Sequence, residues 1–126
     1  MTATLQDQIN GVLDQFERSI SSVEATALFD FDGLVLASRL QRGVDDQKIG
    51  AMAAAILTIS DRSAYELDRG EISRVLVEGD QGSMLITSVG EEIVLVALVG
   101  KQIKLGILFY ECNRCLGKIK SIMGYE

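Results

Sequence analysis

The chain has 126 residues, the size of one ordinary domain, and its 48% hydrophobic and 24% charged residues exclude a disordered or fibrous polypeptide. A formal charge of −6 has the wrong sign for neutralising phosphates, which argues against nucleic acid and anionic membrane surfaces as general partners. With no histidine, the chain lacks the Ser-His-Asp and Cys-His relays and any histidine metal site, and most familiar hydrolase chemistry goes with them.

Leu5, Ile9, Val12, Leu13, Phe16 and Ile20 recur at spacings of three and four, which predicts an amphipathic first helix with Thr4 and Asp7 as its capping box. Val23 to Asp30 and Leu34 to Leu40 read as two strands, joined by a turn in which Asp32-Gly33 supplies a positive φ. Asp45 or Asp46 caps a long second helix with an inward stripe of Ile49, Met52, Ala53, Ile56, Ser60, Ser63 and Leu67, stopped by Gly70. Ile72 to Gly79, Ser83 to Val89 and Ile93 to Val99 read as three more strands linked by tight turns. The helical period returns at Leu105 and puts Leu108, Cys112, Cys115, Ile119 and Met123 on one face. The predicted order αββαβββα, with no linker or repeat, describes a single domain over residues 1–126. Its fold class is α+β, an antiparallel five-stranded sheet carrying helices on its faces.

Two cysteines are too few for a disulfide framework or, within one chain, a zinc site of four thiolates. There is no basic-then-apolar leader. The longest uncharged stretch, Ile49 to Ser60, is twelve residues, short of the roughly 18 needed to span a bilayer. The expected protein is soluble, cytoplasmic and reduced. Cys112-Asn113-Arg114-Cys115 has the spacing of a redox or metal pair, yet both thiols fall on the apolar stripe of the last helix and read as core residues. Asp30-Phe31-Asp32-Gly33 fails the calcium-loop register, because Leu34 stands where a third oxygen ligand belongs. No glycine motif has phosphate-binding spacing, so no nucleotide, cofactor, metal or catalytic residue is assigned.

Charge is unevenly spread. Residues 1–100 carry seven basic and sixteen acidic groups, whereas residues 101–126 carry five and two, so Lys104, Arg114, Lys118 and Lys120 give the last helix a basic outer side that reads as a solvated face. The anomaly is the middle helix, which bears no charge on any side for three turns. Gly50, Ala54 and Leu57 share one flank, and Ala51, Ala55 and Thr58 form the outer surface. Such small residues permit close approach of another helix, and the pattern points to an intermolecular contact.

Taken together, Asp32-Gly33-Leu34-Val35-Leu36-Ala37-Ser38, Ala51-Met52-Ala53-Ala54-Ala55, Val75-Leu76-Val77-Glu78-Gly79 and Leu105-Gly106 resemble, in order and spacing, the roadblock/dynein light chain family. The resemblance implies a five-stranded antiparallel sheet between the middle helix on one face and the two terminal helices on the other. It also implies a homodimer, or a heterodimer with a paralogue, that continues the sheet across third strands and packs middle helices together. Members are non-enzymatic scaffolds or regulators that commonly bind small Ras-like GTPases, and some serve motor complexes; no family motif marks the GTPase-contacting residues. The expected dimer interface is Gly50, Ala54, Leu57, Arg74, Leu76 and Glu78, with Arg74 of each copy opposite Glu78 of the other. The expected partner surface is Lys48, Ala51, Ala55, Thr58 and Arg62. The alternative functions are a small-molecule or metal-binding sensor, in which the cysteines of two copies combine, and a subunit of a motor-type complex.

Overall fold

A computed structural model describes residues 3–124. Helix α1 spans Leu5–Ser19, and its capping box is complete: the Thr4 hydroxyl accepts from the Asp7 N–H while the Asp7 carboxylate accepts from the Thr4 N–H. Strand β1 (Val23–Asp30) turns into β2 (Val35–Ser38) through a loop organised by Asp30, whose carboxylate accepts from the N–H groups of Asp32 and Leu34. Gly33 sits in that turn at φ 87°. The loop is therefore a polar turn, and its bonds draw Leu34 out of the strand, so β2 is shorter than its hydrophobic run suggests.

Helix α2 covers Asp46–Glu66 with Asp45 as N-cap, and it ends before Asp68 enters the left-handed region at φ 56°. Strands β3 (Arg74–Gly79), β4 (Gly82–Val89) and β5 (Ile93–Val99) follow, and α3 (Leu105–Met123) closes the described chain. Residues Ile72 and Ser73 lie outside the ladder, where the Ser73 carbonyl accepts from the Thr87 hydroxyl instead. The sheet order is β2-β1-β5-β4-β3 and every pairing is antiparallel.

Central strands β1 and β5 are buried on both faces, as a sheet with helices above and below requires. Alternate residues of β5 divide between the two faces. Ile93, Leu95, Ala97 and Val99 pack with Leu13, Phe16, Leu108, Cys112, Cys115 and Ile119 beneath α1 and α3. Val94, Val96, Ala27, Phe29 and Ile86 pack with Ala53 and Leu57 beneath α2. One helix thus lies on one face and the two terminal helices on the other.

A polar network ties α1 to the sheet. The Thr26 hydroxyl, fully buried in β1, donates to the Glu17 carboxylate, which also receives Arg39 Nε at 2.8 Å. Arg39 Nη2 reaches Asp14 at 2.8 Å, and Asp14 pairs in turn with Arg18 at 2.9 Å. Every buried side-chain polar atom among the described residues has a partner.

Candidate interaction surface

The inward face of α2 differs from the one its sequence stripe predicts. Gly50, Ala53 and Leu57 point at the sheet, while Met52 is 44% exposed and Leu67 also faces solvent. The cause is Gly50, which lies against the Phe29 ring and the Gly33 carbonyl so closely that no side chain fits between. The helix approaches the sheet through its smallest residue, and the rotation carries Met52 and Ile59 outward. Gly50 and Leu57 are consequently buried in this chain's own core. Ala54 remains half-buried on that flank.

On the outer side, Lys48, Ala51, Ala55, Thr58 and Arg62 are all exposed, and Met52 and Ile59 join them. Ile59 is 68% exposed, an unusual position for isoleucine in a helix with nothing over it. The sequence reading missed both apolar members of this surface. A glycine in mid-helix signals a close backbone approach, and taking Gly50 as the centre of the inward face would have found them. Arg62 Nε is held by Glu66 at 3.0 Å on the surface. Beside the C-terminal half of α2, a groove of about 1100 Å³ opens between Thr58, Asp61 and Tyr65 of the helix, Ile72, and the Gly90-Glu91 turn.

A further open surface is β3, one of the sheet's two edge strands, paired only with β4 among the described strands. Its side chains alternate. Leu76 packs against the core beneath α1 and α3, and the Arg74 guanidinium lies 4.4 Å from the centroid of the Phe109 ring, a cation–π contact. Glu78 is exposed on the same side of the strand, two residues beyond Leu76. Arg74, Leu76 and Glu78 therefore form one row along a free edge.

Cys112 and Cys115 are free thiols buried between α3, α1 and the sheet. Burial pushes Cys112 up to about 11, with Arg74 opposing the rise. Burial pushes Cys115 up to about 12, with Cys112 adding to the rise and Lys118 opposing it. Because both folded values lie above the ordinary thiol value of 9.0, the stability that these neutral thiols confer is complete below about pH 9 and falls as pH rises toward 11–12. Melting curves at about pH 8 and about pH 10.5 check this: the loss on raising pH is expected to be smaller in a Cys112→Ala, Cys115→Ala variant than in the parent. No group of three or more Cys, Asp or Glu among the described residues is arranged to hold a metal ion, and no described helix is long and apolar enough to cross a membrane.

The Roadblock/LC7 domain pattern matches residues 9–99, from α1 to the end of β5. The chain belongs to the Roadblock/LC7 domain family. An uncharacterized protein of Methanocaldococcus jannaschii, MJ0310, is 37% identical over 91 residues, covering 72% of this chain and 79% of that protein. MglB of Myxococcus xanthus has the same fold, with a TM-score of 0.85 at 21% identity over 93% of this chain and 95% of that one. An MglB structure described as having a tetrameric arrangement superposes with a TM-score of 0.85 at 17% identity over 97% and 92% of the two chains. The Roadblock/LC7 match ends at Val99, so α3 with its cysteine pair lies outside it.

Proposed function

We propose that this Roadblock/LC7 chain is a non-enzymatic regulatory or scaffold module that pairs with a second copy, or with a paralogue, and holds a small Ras-like GTPase. The observation that carries the reading is the coincidence of two unpartnered surfaces, the open β3 edge and the uncharged outer face of α2. An edge strand with unpaired backbone groups is a template for another strand. An apolar centre of Ala51, Met52, Ala55 and Ile59 rimmed by Lys48 and Arg62 has the anatomy of a protein interface. The family's association with small GTPases supports the identity of the partner, and the tetrameric MglB neighbour supports self-association. No phosphate loop stands in the sequence, so nucleotide hydrolysis belongs to the partner and the module acts by shaping or recruiting it.

Light scattering at micromolar concentration is expected to give twice the chain mass, with about 1,200–2,000 Å² of total surface buried. Ala54→Asp is expected to drive the dimer toward monomer or aggregate, because it sets an unpaired charge in the contact. Leu57→Glu would instead disrupt the core beneath α2.

The register has its own test. If a two-fold axis passes near Leu76, Arg74 of one copy faces Glu78 of the other, twice per dimer. Glu78→Arg is then expected to weaken the dimer by about 0.2–1 kcal/mol per pair, and adding Arg74→Glu is expected to restore it. Sedimentation equilibrium reads both, and an unrestored double variant would refute the register. Partner identity is checked by titrating the dimer with a co-encoded Ras-like GTPase in its GTP-analogue and GDP states. Binding in at least one state is expected, and failure in both would sink the GTPase reading.

A further inference from the structure

We infer that the cleft between α1 and α3, with the ridge of α3 that borders it, is a docking site for an acidic polypeptide segment carrying an apolar anchor. The cleft holds about 290 Å³, with Val12, Phe16 and Cys115 in its apolar floor and Arg18, Arg114 and Lys118 among its lining residues. Lys118 Nζ donates to the amide oxygen of Gln15 at 2.6 Å and forms no ion pair with a carboxylate among the described residues, although Glu111 also lines the cleft. Arg18 and Arg114 each engage one carboxylate, of Asp14 and Glu111, and a guanidinium has further N–H donors to offer.

The same ridge continues beyond the cleft as an apolar surface. Ile107, Tyr110, Arg114 and Lys118 follow one another at spacings of three, four and four, which aligns them along one side of the helix. Ile107 is 49% exposed and Tyr110 63% exposed. A solvated charged face has no use for these two side chains in a row with cations, and their combination is what an amphipathic acidic partner requires. The sign of the partner follows from the charge reversal along the chain: residues 101–126 are net positive on an otherwise acidic protein. The site lies across the sheet from α2, so it is separate from the proposed GTPase surface.

The test uses the isotopically labelled full chain and, as probe, a synthetic glutamate-rich helical peptide bearing a single phenylalanine. Saturable amide shifts are expected around Phe16, Arg114 and Cys115, weakening at least about tenfold in an Arg114→Glu, Lys118→Glu variant. Tyr110→Ala, a solvent-side change that leaves the Lys118 to Gln15 bond intact, is expected to weaken binding as well and carries the test if the double reversal fails to fold. The Glu78→Arg variant is expected to bind the peptide as the parent does, which separates this site from the dimer contact. The inference is overturned if the peptide gives no saturable shifts, if a peptide lacking the phenylalanine binds equally, or if the charge reversals and Tyr110→Ala change nothing. Preferential binding of phosphatidylserine vesicles or inorganic phosphate at the cleft also overturns it, in favour of a lipid or simple-anion site.

Discussion

Gly50→Val is expected to leave the chain largely unfolded at ordinary temperatures. A Cβ at this position would stand 2.6 Å from a Phe29 ring carbon and closer still to the Gly33 carbonyl oxygen. Neither neighbour can retreat, because Phe29 is fully buried and Gly33 is locked in the Asp30 turn. Overpacking that side chains can absorb costs about 1–3 kcal/mol. Here α2 itself must lift, which uncovers Ala53 and Leu57 and raises the expected loss above about 3 kcal/mol, a large share of the roughly 5–15 kcal/mol that holds a domain together. Gly50→Ala is expected to fall between Gly50→Val and the parent. Urea unfolding followed by circular dichroism measures the series, and a Gly50→Val midpoint equal to the parent's would mean that α2 is not seated on Phe29.

Glu17→Ala is expected to cost about 2–3 kcal/mol, against less than about 1 kcal/mol for Thr26→Val. The asymmetry comes from what each change leaves behind. Removing the carboxylate leaves the fully buried Thr26 hydroxyl without its acceptor and strips Arg39 of one of its two acceptors. Replacing the hydroxyl by a methyl leaves Glu17 still paired with Arg39. In the Glu17→Ala background, Thr26→Val is therefore expected to recover part of the lost stability by removing the orphaned donor. Thermal unfolding of the four proteins reads this cycle, and additive losses would exclude the proposed coupling.

Most of the architecture was legible because local signals agreed with one another. The β-prone apolar runs Val23–Asp30 and Ile93–Val99, with turn residues at both ends, yielded β1 and β5 with the right bounds. The Thr4, Asp7 capping pair likewise marked the start of α1. Where the reading slipped, a single backbone demand outweighed hydrophobic pattern. Asp30 draws Leu34 into its turn at the cost of a strand position, and Gly50 rotates α2 so that Met52, an apparent core residue, faces outward. The uncharged middle helix advertised an unusual surface, but its composition could not say which side was covered, since alanines lie on all of its sides. The cleft beside Cys115 was not legible at all. It arises from the contact of α1 with α3, residues about a hundred positions apart in the chain.

The free side of β3 has a consequence for cells that make several chains of this fold. Its hydrogen-bonding groups are main-chain amides and carbonyls, which are the same whatever the sequence, so they attract any extended strand of suitable length without distinguishing kin from stranger. If β3 pairs with another copy, discrimination would reside in the few side chains proposed to flank that contact, Arg74 and Glu78 along the edge and Ala54 on α2. In that register, Glu78→Arg in one duplicate and Arg74→Glu in the other would make each strand repel itself and match its sibling. Mixed and like pairs could thus be exchanged by gene duplication and two substitutions, with the interior of the domain left untouched.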